Sequence, residues 1–305
     1  MKNTMLIALV VLALPAQAQL PDHIYRPSIH AVKLFKSGDI YSYPVLLLNG
    51  TDQLELHFDD LDADVKNFYY SFQLCNADWT PADIQVFDYI RGFPSVRISN
   101  YRYSSISMTR YTHYQAFLPD RNCVPTRSGN YLLKVFANND TSALYFTRRI
   151  LVVENKVAVA AQVVQPFNVQ AARTDQRVQV GINTANARIN IMSPQDIRVV
   201  ILQNNTWPTA AHLNRPNIFR GNYLEYNDDA ATFPAGREWR WIDLRSLRLM
   251  SDRMRRMIDT LGGTDVYVKP DAERKGQIYV YYRDLDGLFT LENSDGNNPY
   301  WQSDY

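Results

Sequence analysis

Apolar and polar residues alternate with a period of two through much of the first half of the chain. A segment with that pattern can bury one face only as a strand. Leu54, Leu56 and Phe58 point one way while Gln53, Glu55 and His57 point the other; Phe68, Tyr70, Phe72 and Leu74 share a face opposite Tyr69, Ser71 and Gln73. Pro44 opens the apolar run Val45-Leu46-Leu47-Leu48, and Asn49-Gly50 follows. Asn-Gly supplies the two positive φ angles of a type I′ turn, so the run 45–48 and the strand at 54–58 are expected to pair as an antiparallel hairpin. Between the alternating runs, Asp59-Asp60-Leu61-Asp62-Ala63-Asp64 reads as an acidic turn.

Further strand candidates follow between Tyr111 and Val153, separated by Ser128-Gly129-Asn130 and Asn138-Asn139-Asp140. Tyr131, entering a strand just after a turn, matches the tyrosine corner of immunoglobulin-like sandwiches. Strands in this density without a helical period argue for an antiparallel sandwich. The length, 305 residues, suggests two domains. The expected class is all-β, with two immunoglobulin-like β-sandwiches in tandem: a first domain over 19–154 and a second β-rich one over 155–305. In the second, strand signals recur at 157–164, 177–182, 197–203, 238–244 and 277–283. One segment dissents. Leu244, Leu247, Met250, Met254, Met257, Ile258 and Leu261 follow helical spacing, with Asp243 as N-cap and Gly262 just past the end, so an amphipathic helix is the alternative there. Trp301-Gln302-Ser303-Asp304-Tyr305 has strand character and stops with no turn after it, which reads as a second domain cut short.

Residues 1–18 read as a signal peptide: Lys2, an apolar stretch from Met5 to Leu14, and Ala16-Gln17-Ala18 before the cleavage point. The apolar stretch is too short to span a bilayer. Position 19 is Gln, not Cys, so no lipoprotein anchor is expected. Loss of Lys2 brings 32 basic residues level with 31 acidic ones. A nucleic-acid ligand is disfavoured, because phosphate binding needs a basic excess. In an oxidising compartment, Cys75 and Cys123 either form one disulfide, worth up to about 4 kcal/mol on the chain-entropy model, or remain two buried free thiols.

Catalytic patterns are lacking. There is no Gly-x-Ser-x-Gly elbow and no phosphate-binding glycine loop. The five histidines, His23, His30, His57, His113 and His212, lack zinc-ligand spacing. Asp60, Asp62 and Asp64 begin like an EF-hand, but Val65 stands where glycine is needed and Ser71 where a bidentate glutamate is needed. No metal, cofactor or catalytic residue is therefore assigned. The densest feature is the run of arginines from Arg237 to Arg256, with Trp239 and Trp241 inside it. Arg and Trp dominate binding hot spots, so Arg237, Trp239, Arg240, Trp241 and Arg245 form the candidate partner interface. An arginine face paired with neighbouring acids is the alternative.

The strings His23-Ile24-Tyr25-Arg26-Pro27, Tyr43-Pro44-Val45-Leu46 and Leu54-Glu55-Leu56-His57-Phe58-Asp59-Asp60 resemble the opening of the type IX secretion system plug proteins, a family first catalogued as a domain of unknown function. The resemblance continues through Cys75-Asn76-Ala77-Asp78-Trp79, Tyr89-Ile90-Arg91-Gly92-Phe93, Tyr111-Thr112-His113-Tyr114 and Ser128-Gly129-Asn130-Tyr131-Leu132. It then includes Glu238-Trp239-Arg240-Trp241 and Asp265-Val266-Tyr267-Val268-Lys269-Pro270. It implies a periplasmic, non-enzymatic, all-β protein, peripheral to the outer membrane without a direct anchor. Its partner would be the outer-membrane β-barrel translocon, whose periplasmic mouth it closes. The rival class is an exported glycan-binding accessory that stacks sugars on a platform of aromatics such as Trp79, Trp207, Trp239 and Trp301.

Overall fold

In the first part of the chain the alternation becomes two facing sheets. The computed structural model describes residues 20–105, 107, 109–187, 193–235, 239–261, 263–272, 287 and 289–290. Eleven strands come first: β1 (Ile29–Lys36), β2 (Val45–Leu47), β3 (Leu54–Asp60), β4 (Phe68–Cys75), β5 (Ile90–Gly92), β6 (Val96–Arg97), β7 (Asn100–Tyr103), β8 (Thr112–Leu118), β9 (Cys123–Pro125), β10 (Gly129–Ala137) and β11 (Leu144–Val153). One sheet runs β1-β3-β8-β7 and the other β2-β11-β10-β4-β6, with β5 and β9 paired at one end. The period-two faces meet between the two sheets. Leu54, Leu56 and Phe58 of one, and Phe68, Tyr70, Phe72, Tyr131, Leu133 and Phe146 of the other, are all at most 1 % exposed.

Phe58 sits at the centre of this core. Its ring stacks on Tyr114 at 5.0 Å and meets Phe68 and Phe146 edge to face at 5.2 and 5.0 Å. Such pairs add about 0.5–1.5 kcal/mol each beyond area burial. The tyrosine corner is present: Tyr131 Oη donates to the Arg127 carbonyl at 2.9 Å, four residues upstream. Gly92 is required where it stands. Its φ is +103°, and a Cβ there would lie 2.2 Å from the Asn122 carbonyl oxygen.

The second part contributes β12 (Ala158–Val164), β13 (Asp175–Asn183), β14 (Val199–Ile201), β15 (Ala211–Leu213), β16 (Ile218–Arg220), β17 (Tyr223–Tyr226), β18 (Thr232–Pro234), β19 (Met254–Thr260) and β20 (Gly263–Val268). The sheet β12-β13-β17-β16, with β18 added on β13, and the hairpin β14-β15 enclose a second core around Val180, Ile182, Leu213, Leu224 and Tyr226. Among the described residues there is no α-helix, only short 3-10 turns. The chain is all-β.

Local expectations fare unevenly. The Asn49-Gly50 hairpin does not form: β2 pairs in parallel with β11, while β3 pairs with β1 and β8 in the other sheet. Asn49 alone takes a positive φ (59°), and Gly50 does not, so the two-residue condition of a type I′ turn fails. The chain instead crosses from one sheet to the other. The helix alternative at 244–261 also fails, because Met254 to Thr260 form β19, paired with β20. Upstream, the Asp243 carboxylate accepts from the Arg245 backbone N–H at 3.0 Å and Ser246 Oγ from Leu249 N–H at 3.0 Å. These local bonds satisfy the backbone in a turn instead of a helix. Trp239-Arg240-Trp241-Ile242, expected as strand, is irregular. Residues 1–18, 277–283 and 301–305 lie outside the described residues.

Replacing Tyr131 by Phe removes the part-buried hydrogen bond to the Arg127 carbonyl and should cost about 1 kcal/mol. Urea unfolding should show a lower midpoint at unchanged slope; an unchanged midpoint would mean the corner bond is inert.

Candidate functional site

The stretch from Trp239 to Met250 lies on the surface as an apolar ridge over paired charges. Trp239 and Trp241 are 51 and 50 % exposed, and Leu244, Leu247, Leu249 and Met250 are exposed beside them. The arginines around them are held locally. Arg240 Nε meets the Asp271 carboxylate at 2.8 Å, and Arg253 stacks over the Trp241 ring at 5.1 Å. Arg245 grips Asp243 through Nε and Nη2 at 3.0 and 2.8 Å, which pulls the Asp243 pKa down to about 2. Of the five sequence candidates, Trp239, Arg240, Trp241 and Arg245 therefore lie together in this stretch, while Arg237 lies outside the described residues. Exposed aromatics supported by guanidinium groups already paired within the chain can bind a partner by desolvation without leaving unpaired charge behind.

The acidic turn forms a cation site filled from within. The Asp60, Asp62 and Asp64 carboxylates lie within 4.8 Å of one another, and Lys66 Nζ stands among them at 2.5, 2.8 and 2.7 Å. Burial works to lower the Lys66 pKa, but its hydrogen bonds to the three carboxylates outweigh this and raise it. The ammonium occupies the place a calcium ion would need. Sequence reasoning stopped at the aspartates; the signal it missed is that Lys66 continues their alternate spacing.

A second polar array spans the outer face of the β3–β8 pair. Glu55 Oε2, His57, His113 and Asp59 Oδ1 form a hydrogen-bonded chain with contacts of 3.2, 3.1 and 2.7 Å. Register explains it, since Asp59 lies directly opposite His113. Burial, foremost, lowers the His57 pKa. The chain fixes the histidines against each other on the sheet, which accounts for them without a zinc site.

Trp79 and Trp207 meet edge to face, 5.0 Å apart at 83°, and the Arg149 guanidinium lies over both rings at 4.8 and 4.7 Å. Asp22 pairs with Arg149, and Trp207 Nε1 donates to Tyr43 Oη at 2.5 Å. This clamp joins the first sandwich to the 203–210 segment, and nothing in the local sequence announces so distant a contact. With Trp79 buried and the rings near perpendicular, the pair offers no flat platform for a sugar. Trp301 lies outside the described residues.

The cysteines resolve toward the second alternative. Cys75 and Cys123 are buried free thiols. Cys123 belongs to the main core, where burial pushes its pKa up to about 12, while Cys75 packs with Trp79 and Leu132.

By fold and surface this is an all-β sandwich protein with an exposed aromatic and aliphatic ridge at 239–250. Residues 29–154 match the family described as Type 9 secretion system plug protein 1st domain, and the N-terminal part of the chain belongs to the type IX secretion plug family. Among solved structures, the crystal structure of a hypothetical protein from Parabacteroides merdae aligns with a TM-score of 0.81 at 27 % identity. The alignment covers 93 % of this chain and 71 % of that one. No curated protein matches the sequence. Among the described residues no helix is long and apolar enough to cross a membrane.

Two outcomes follow. Lys66→Met strands the fully buried Asp60 carboxylate and should cost about 3 kcal/mol. Asp62→Asn, at an exposed partner, should cost under about 1 kcal/mol in the same denaturation assay. Second, the protein unfolded in guanidinium without reductant should titrate with two thiols per chain; none would show a disulfide.

Proposed function

We propose that the protein is a non-enzymatic periplasmic plug that seats against the periplasmic mouth of the type IX outer-membrane translocon and closes it when no substrate is engaged. The observation that carries this reading is the plug-domain match over residues 29–154. The ridge at 239–250 supports it as the docking face: its exposed Trp239 and Trp241 have the character of interface anchors, and its Arg240 and Arg245 are already paired. A seal that must open needs a contact of modest area with a polar rim. A balanced mature charge would keep the plug from adhering to every charged surface. The leader at 1–18 would deliver the chain to the periplasm.

The test is affinity purification of the tagged protein from gently solubilised outer membranes, with identification of what accompanies it. The translocon barrel should co-purify. Trp239→Ala combined with Trp241→Ala should reduce its recovery at least tenfold, in line with the loss of hot-spot anchors. Arg245→Ala, whose main partner is its own Asp243, should change recovery less than threefold. Absence of the barrel, with glycan or polysaccharide-handling proteins in its place, would overturn the plug reading. Recovery of the barrel unaffected by the tryptophan changes would remove only the ridge from it.

A further inference from the structure

Arg148 breaks the pattern of the strand that bears it. On β11, Phe146 and Ile150 are fully buried in the main core, and by the two-residue period of a strand Arg148 shares their face. A guanidinium on the inner face of a sandwich calls for an anionic partner. Arg148 has none among the described residues. Its single hydrogen bond runs from Nη1 to the Thr147 carbonyl at 2.8 Å, and its guanidinium lies 5.7 Å from the centroid of the Phe146 ring. Burial lowers its pKa, with Asp22 opposing only through space. The neighbouring Arg149 differs in every respect, being ion-paired with Asp22 and enclosed by Trp79 and Trp207.

The residue opens onto a cavity of about 330 Å³ at the edge of the sandwich. Val32, Leu34, Ile40 and Pro44 supply an apolar lining, and Trp207 of the clamp contributes to it. That volume sits at the lower end of small-ligand pockets, roughly 300–1,000 Å³. The charges on the lining are Arg148, Arg149 and Asp22, and pairing of the last two leaves one positive charge over. Space, apolar walls and a single unmatched guanidinium with free donors define the ligand: one negative charge in planar, two-oxygen form, on an apolar body.

We propose that this cavity binds a small amphiphilic carboxylate, its head group paired side by side with Arg148 and its apolar part lying along Val32, Leu34 and Ile40. The shared chemistry has two sources, a free fatty acid and the C-terminal residue of a peptide that ends in an apolar side chain. Because the site lies where the first sandwich meets the 203–210 segment and no residue of the 239–250 ridge lines it, it stands or falls independently of the plug reading.

The test is calorimetric titration of the whole chain with octanoate, N-acetyl-leucine and octanol. Octanoate represents the fatty acid, N-acetyl-leucine the peptide end, and octanol the apolar body without the charge. At least one carboxylate should bind in the millimolar range or tighter and at least tenfold more tightly than octanol; whichever of the two binds better names the source. Arg148→Gln should weaken that binding at least tenfold. Should that variant not fold, Val32→Phe, which fills the cavity and keeps the guanidinium, should abolish it instead. Failure of both carboxylates to bind at 10 mM, octanol binding as well as octanoate, or undiminished binding in the folded variant would each overturn the proposal.

Discussion

The contact of Phe58 with Phe68, Tyr114 and Phe146 is the constraint on which the rest of the first sandwich depends. Those rings come from β3, β4, β8 and β11, two strands of each sheet, so their packing sets both the spacing of the sheets and the register within each. A slip of one residue in β3 would turn Leu54, Leu56 and Phe58 to the solvent and bury Glu55 and His57. The outer face inherits its order from that inner lock. Glu55, His57 and Asp59 can line up with His113 only because Phe58 is held against Tyr114 in the register that places Asp59 opposite His113. The Tyr114 hydroxyl in turn accepts from the Lys66 backbone N–H at 2.8 Å, which helps hold the ammonium among its three carboxylates.

The same logic separates what could be read in the sequence from what could not. Alternation is a local signal of burial, and it marked β3 and β4 correctly; strand signals at 157–164 and 177–182 fall on β12 and β13; the turn before Tyr131 announced β10 and the corner bond because both partners of that bond lie within five residues. Pairing is not local. Asn49-Gly50 looks like a hairpin turn, yet whether β2 joins β3 or β11 depends on which edge lies free, and that is decided by strands a hundred residues on. The helical spacing from Leu244 to Leu261 had no apolar groove to answer it. Met254 became the buried end of a hairpin, and the residues before it a surface ridge. For the candidate surface, residue type sufficed to point at Trp239 and Trp241, whereas the acids that hold Arg240 and Arg245, Asp271 and Asp243, emerged only in three dimensions. The Arg149 clamp draws on five separate segments, through Asp22, Tyr43, Trp79, Arg149 and Trp207, and left no trace in any of them.

A plug has to hold its shape against a pore while offering a face that lets go. The first requirement is met by the aromatic core and by the clamp of Trp79, Arg149 and Trp207, which packs the second part of the chain onto the first. The second suits a surface such as the 239–250 ridge, where apolar side chains stand exposed and Arg240 and Arg245 are matched within the chain. Closure of the translocon by this protein is a proposal. Ionic conductance of the purified translocon barrel in a planar bilayer tests it most directly, measured before and after the protein is added on the periplasmic side. A saturable fall in conductance is expected, weaker when Trp239 and Trp241 are both alanine. Conductance unchanged at saturating protein would contradict it.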